Sequence, residues 1–285
     1  MLSGQIGLNF FLELPEISGV DYSKSYMTFT IGKDPTEYRD NFDPNHMNSG
    51  KTRYGFTCFV NSIQMADTIK AVFHYGNGKT VSKDYSVAQY IDFFEKNIGS
   101  FNAKTITLIR AIADFGHYEQ IYLADVNGWT IGDKYAEMAT HYTDIFNYAS
   151  ILSAVNDKAF VKSLGSSNVE KATYKLHLDS ETTVDVFLTP KSGKTLTASA
   201  TFNGKTYTAV KQSDGRYLVQ IPNISAHQLG EMITVTGTAG TAFSVKVSAL
   251  SYTRSVLNNT SSNTAAKDGL SALYQYYTAV LAYRK

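Results

Sequence analysis

The chain has one cysteine, Cys58, one tryptophan, Trp129, and only five prolines in 285 residues. A single cysteine excludes an intrachain disulfide and any multi-cysteine metal site. Charge of one sign is also scarce: 26 basic residues stand against 25 acidic ones, a net charge of +1. Nucleic acid and anionic membrane surfaces recruit proteins whose basic excess displaces counterions, so neither is an expected partner. No run approaches the roughly 20 apolar residues that span a bilayer, and membrane insertion is not expected. The opening stretch MLSGQIGLNFF has neither a charged n-region nor a small-residue cleavage site. It is not an intact signal peptide and reads as a fragment of a longer protein with further flanking domains.

Catalytic signatures are missing as well. Three Gly-Lys-Thr triplets occur, at 78–80, 193–195 and 204–206. A phosphate loop needs a glycine five positions before the Gly-Lys, and those positions hold Phe73, Leu188 and Ser199. The triplets therefore read as β-turns. The six histidines, His46, His74, His117, His141, His177 and His227, show no helical zinc spacing. Cys58 sits in the apolar stretch FTCFV, where a thiol is a small buried hydrophobe rather than a nucleophile. No Gly-x-Ser-x-Gly elbow is present. Glu13, Glu16, Asp67 and Asp84 fall at strand ends or turns, the default place for solvated acids. A glycosidase needs only two suitably spaced carboxylates, so that class stays open as the alternative to a non-catalytic chain.

What is present is a large, β-prone aromatic content. Twenty Tyr and sixteen Phe stand among abundant Thr, Ser, Asn and Gly, with 43% hydrophobic and 18% charged residues. The length suggests about two domains, each able to bury a core. Tyr and Thr suit a pleated, half-wet surface, as in extracellular β-rich modules.

An ordered internal similarity organises the chain. LSGQIGLNFFL (2–12) lies over LDSETTVDVFL (178–188), both alternating apolar and polar residues as half-buried strands do. Arg53-Tyr54 matches Arg216-Tyr217, and 65–69 matches 229–233. Ser86 and Ser248 each follow a strand and precede helical spacing, which predicts two N-caps. A second helix closes each copy, over 103–123 and 264–283. The first copy's long loop, 33–51, is replaced in the second by tight turns at Asn203-Gly204 and Asp214-Gly215. The expected fold class is α+β, with two tandem units, 1–124 and 168–285, each an antiparallel sheet or sandwich followed by two helices. Helical spacing through Tyr135, Met138, Tyr142, Ile145 and Ile151 predicts a helical connector over 125–167.

The segments IGLNFFLEL, YMTFT, YGFTCFVNSIQMADTIKAVF, DYSVAQYIDFF and IRAIADFGHYEQIYL carry a resemblance. Residues 2–125 resemble a module of large secreted or wall-attached proteins of anaerobic Gram-positive gut bacteria. There it accompanies immunoglobulin-like, leucine-rich-repeat or dockerin modules. The second copy is similar only loosely. The resemblance implies an extracellular or cell-wall location and an accessory role, and it assigns no catalytic residue.

Candidate binding residues follow from the most individual stretch, KDPTEYRDNFDPNHMNSGK. Tyr38 and Phe42 are aromatic faces for stacking on sugars, and Trp129 is a third, though packing between unit and connector is the stronger reading of it. Asp40 and Asp43, with nearby Asp34, Glu37 and Asn side chains, offer oxygen ligands of the kind calcium takes, without EF-hand spacing. No other cofactor is expected. The functional expectation is a non-catalytic extracellular module that binds glycan or protein, or acts as a spacer.

Overall fold

Ile6–Glu13 alternates apolar and polar side chains and forms strand β1. Its inward residues Leu8 and Phe10 are buried, whereas Phe11, out of phase with them, faces solvent. The structure, a computed structural model, describes residues 6–13, 21–48, 53–143, 145–178 and 181–285. It is α+β, with antiparallel sheets and six helices among these residues. The chain divides into one unit running to Tyr142 and another from Thr143 to Lys285.

The first unit contains β1, β2 (Tyr26–Ile31), β3 (Asp34–Asn41), β4 (Arg53–Val60), β5 (Ile69–His74) and β6 (Thr80–Tyr85). Helices α1 (Val87–Lys96), α2 (Ala103–Asn127) and α3 (Ile131–Lys134) follow. Strands β1 and β4 pair in register from Ile6 opposite Val60 to Glu13 opposite Arg53. The other four form a sheet in the order β3-β2-β5-β6. The two sheets pack face to face, with the ring of Phe10 5.5 Å from Phe29 and Phe56 5.6 Å from Phe73. Tyr54, Phe56, Phe73 and Ile69 are essentially inaccessible, so this aromatic layer is the unit's core.

Both helices start where their caps dictate. The Ser86 hydroxyl accepts from the Gln89 amide at 3.1 Å, and α1 then buries Val87, Ile91 and Phe94. Asn102 caps α2, which stops at Gly128 in the left-handed conformation (φ +65°). Gly116 is needed inside α2: a Cβ there would lie 2.7 Å from Met65 Sδ and 3.2 Å from the Ser62 carbonyl oxygen. The bare backbone lets the helix approach the short 3-10 turn Ser62–Gln64.

The second unit contains α4 (Tyr148–Ala154), β7 (Val161–Ser163), β8 (Val169–His177), β9 (Thr183–Pro190), β10 (Thr197–Phe202), β11 (Lys205–Thr208) and β12 (Val210–Lys211). It continues with β13 (Tyr217–Ile221), β14 (Ile233–Ala239), β15 (Thr241–Val247), α5 (Ala249–Asn258) and α6 (Thr264–Arg284). Its sheets run β12-β13-β9-β8 and β11-β10-β14-β15-β7. Asn203 and Gly204 both have positive φ, +52° and +73°, the two-residue hairpin geometry that joins β10 to β11. Ser248 caps α5 reciprocally: its hydroxyl accepts from the Ser251 amide at 3.1 Å, and Ser251 Oγ accepts from the Ser248 amide at 2.9 Å. Each of the glycines in the three Gly-Lys-Thr triplets adopts positive φ at a turn.

Two expectations are corrected. The region 33–51 is not one long loop, because Asp34–Asn41 forms edge strand β3 on β2. Pairing on one side only, and exposed over most of its length, β3 has little call for apolar alternation. The stretch 125–167 is not a continuous helical connector either. Between α3 and α4 residues 135–143 form no helix, with bends at Tyr135 and Tyr142, and Ile145 is 86% exposed. Tertiary hydrogen bonds take the groups a helix would need. The Ala136 amide donates to the Asp67 carboxylate at 2.6 Å, and the Met138 amide to Gln120 Oε1 at 2.8 Å. Gln120 Nε2 donates to the Ala136 carbonyl at 2.9 Å and to that of Ile63 at 2.6 Å. His117 Nδ1 donates to the Met138 carbonyl, and the Tyr142 amide to Asp114. Met138 is buried in the first unit's core. The start of the internal similarity at 2–5, Glu16 and the loop end 49–51 lie outside the described residues.

Candidate functional site

The sequence-predicted residues are scattered by the structure. Tyr38 lies on edge strand β3, 47% exposed, opposite Phe29. Phe42 is half-buried and its ring stacks on Tyr54 at 4.7 Å, so one face of it already has a partner. Trp129 is half-buried after α2, 5.4 Å from the Tyr135 ring and under the Lys134 ammonium at 5.1 Å. The carboxylates are committed locally. Asp43 caps the 3-10 turn Pro44–His46 by accepting from the Asn45 amide at 2.9 Å. Asp40 accepts from the Thr57 amide of β4 at 3.4 Å. Among the described residues no group of three or more His, Cys, Asp or Glu is arranged to hold a metal. The calcium reading of Asp40 and Asp43 therefore gains no geometry.

Other titratable groups are equally engaged. Burial pushes the Cys58 thiol up to about 12, far from thiolate chemistry. Burial also raises the Asp67 carboxyl above its usual range, partly offset by the Ala136 amide and Lys33. Glu13 pairs with Arg53 at 3.1 Å, and Asp84 lies exposed on β6. On the outer face of the five-stranded sheet, an open depression of about 480 Å³ is lined by Ser199, Thr201, Asn203, Thr234 and Thr236, with Glu231 at its rim.

A recurring constellation emerges instead on the outer faces of β1–β4 and β9–β13. In the first unit Phe11, 60% exposed, lies over Gly55, where a Cβ would meet the ring at 3.2 Å. The Arg53 guanidinium stands 5.5 Å from that ring and is held by Glu13. Beside them Thr57 Oγ1 donates to Asn9 Oδ1 at 2.7 Å, and Phe59 is 41% exposed further along β4. In the second unit Arg216 lies 4.4 Å over the Phe187 ring and is held by Asp214 at 2.6 Å. Gln220 Nε2 donates to Asp185 Oδ1 at 3.0 Å, and His177 Nε2 reaches the other oxygen at 3.0 Å. Each face thus presents a phenyl ring, a guanidinium fixed by an acid, and a cross-strand polar pair.

The register makes the two faces equivalent position by position. Leu12 pairs with Tyr54 and Phe10 with Phe56, as Leu188 pairs with Tyr217 and Val186 with Val219. The residues Phe11 and Arg53 occupy the positions of Phe187 and Arg216. Sequence reasoning passed over these four, although the signal was there. Phe11 and Phe187 break the inward phase of their strands, and the Arg-Tyr match already aligned the two arginines. No protein-family model matches the chain, and no curated protein or solved structure shows significant similarity to it.

Proposed function

We propose that the two units are copies of one fold, and that the chain is a non-catalytic, extracellular accessory module of a larger secreted or wall-attached protein that binds glycan through the outer faces of β1–β4 and β9–β13. The observation that carries this reading is the recurrence of the phenyl–guanidinium–polar-pair constellation on the outward side of both strand pairs, with Phe11 exposed and Phe187 half-buried beneath Arg216. Core packing does not require it there. The exposed Phe11 ring offers its face to the C–H side of a pyranose, and Phe187 would offer its uncovered edge. Arginine, asparagine, glutamine and threonine supply donors and acceptors for the hydroxyls around it. Equal strand order supports the duplication: β3-β2-β5-β6 beside β11-β10-β14-β15, and β1-β4 beside β9-β13.

The test is a glycan array and polysaccharide pull-down with the full chain, repeated with Phe11→Ala, Phe187→Ala and both together. Binding that falls with each single change and is lost in the double variant supports two equivalent sites. Binding unaffected by the double variant overturns the assignment of these faces, and binding to no glycan leaves a spacer role. Turnover of a polysaccharide that disappears on a carboxylate-to-amide change would establish the glycoside hydrolase alternative.

A further inference from the structure

The two copies differ in one strand. In the second unit β9 is central, paired with β13 on one side and, over most of its length, with β8 on the other. In the first unit β1 is paired with β4 on one side, and among the described residues no strand or hydrogen bond reaches its other edge. The rest of that sheet has its counterpart: Met47 bridges Tyr54 as Lys211 bridges Tyr217. The far edge of β4 is further blunted by Asp40, which takes the Thr57 amide. Among the described residues only the place of β8 has no counterpart.

That edge of β1 is also unguarded. Natural sheets protect free edges with charge, proline or brevity. Strand β3 carries Pro35 and several charges, β6 carries Lys83 and Asp84, and β7 and β12 are three and two residues long with a lysine each. Strand β1 has eight residues, IGLNFFLE, with no proline and its only charge at the last position. Such a strand is a template for addition of another.

We infer that the free edge of β1 is an acceptor for an extended peptide segment of a separate polypeptide, added antiparallel in the position β8 holds in the second unit. The inference rests on the equivalence of the two units and not on glycan binding, which uses the face of the sheet. The chemistry of the occupant is read from β8. Ala172, Tyr174 and Leu176 stand opposite Leu188, Val186 and Val184, so the donor strand carries small, aromatic or aliphatic side chains at every second residue. Charged residues such as Lys171 and Lys175 occupy the alternate, outward positions. Main-chain hydrogen bonds supply affinity, and the inward side chains supply register.

The experiment is hydrogen exchange on the full chain with a synthetic peptide of sequence 168–178. In the free chain, alternate amides of β1 should exchange faster than those of β9. With peptide at about ten times its dissociation constant, mass action should slow the β1 amides about tenfold and leave β6 and β11 unchanged. N-methylation of the peptide amides on one edge should abolish the effect, and on the other edge should not. The inference is overturned if β1 is already as protected as β9, if peptide leaves β1 exchange unchanged, or if both N-methyl series behave alike. Protection of β1 that depends on chain concentration alone would also overturn it, naming a second copy as the occupant. Glycan binding has no part in this readout, so either proposal can fail without the other.

Discussion

Around its long helix the first unit uses charged and amide side chains, whereas the second unit carries no charge at the positions that match them in sequence. Along α2, Asp114, His117 and Gln120 bind the backbone of the irregular segment 135–142, while the positions of α6 that match them in sequence are Gln275, Thr278 and Leu281. The bidentate Arg110–Glu95 pair that ties α2 to α1 has Ser271 and Leu257, both buried, in its place. Between the sheets, Phe56 and Phe73 correspond to Val219 and Gly237. The lost volume is restored from a neighbouring strand, because Phe243 lies across Gly237, where a Cβ would meet its ring at 2.8 Å. Even the close helix-to-turn approach is solved oppositely. Gly116 of α2 makes room for Met65, whereas Gly230 of the turn makes room for Tyr277 of α6. Antiparallel sheets accommodate both solutions because sheet pairing is set by backbone and period. Packing needs only volume and satisfied polar groups.

The largest test of this contrast lies in the cores. Phe56→Ala removes a fully buried ring between Tyr54 and Phe73 and should cost the first unit about 3–5 kcal/mol. Val219→Ala, at the equivalent place, should cost about 2 kcal/mol, since two fewer methylene-sized groups are buried. Calorimetry should show the first change lowering one transition and the second lowering the other. A common drop of both transitions would mean that the units do not unfold independently.

Gln120→Leu writes the second unit's residue into the first. It leaves the Ala136 and Ile63 carbonyls and the Met138 amide without their partner and should cost about 2–3 kcal/mol. Protease cleavage between 135 and 143 should accelerate before global unfolding. If it does not, the irregular segment is held by the packing of Met138 alone.

The caps sharpen the comparison at a smaller scale. Ser86→Ala should cost about 1 kcal/mol. Ser248→Ala should cost somewhat more, because it also removes the contact between the Ser248 and buried Ser251 hydroxyls. Chemical denaturation of each variant distinguishes them, and equal losses would mean that the contact between the two hydroxyls adds nothing.

The smallest effect is in pH. Hydrogen bonding to Arg110 holds the Glu95 carboxyl below its usual 4.5. A group with a lowered folded value stabilises above its unfolded value and loses that contribution as the pH falls through the folded one. The first unit should therefore lose about 0.5–1 kcal/mol from this pair below the ordinary glutamate range. Arg110→Met should remove that slope, and α5–α6 of the second unit should lack it.

Legibility in the sequence followed the range of the interaction. The caps Ser86 and Ser248, the Asn203-Gly204 turn and the inward phases of β1 and β9 each depend on a few neighbouring residues, and all were readable. Strand β3 was not, because an edge strand wet on most of its length has little apolar alternation to detect. Residues 135–142 were misread because Tyr135, Met138 and Tyr142 have helical spacing, yet their backbone partners come from residues 16 to 69 positions away. Tyr38, Phe42, Trp129, Asp40 and Asp43 were chosen as residue types, and type alone does not reveal that Phe42 is stacked or Asp40 already bonded.

What the sequence determined by itself is the α+β class, the strand phases and the helix starts, since period, turn and cap chemistry act locally. Only the tertiary structure decided which aromatic ring lies beside an arginine, which carboxylates are spent on amides, and which strand edge has no partner among the described residues. Those outcomes depend on backbone groups brought together across long stretches of chain, and hydrogen-bond satisfaction at such distances leaves no periodic trace in the sequence.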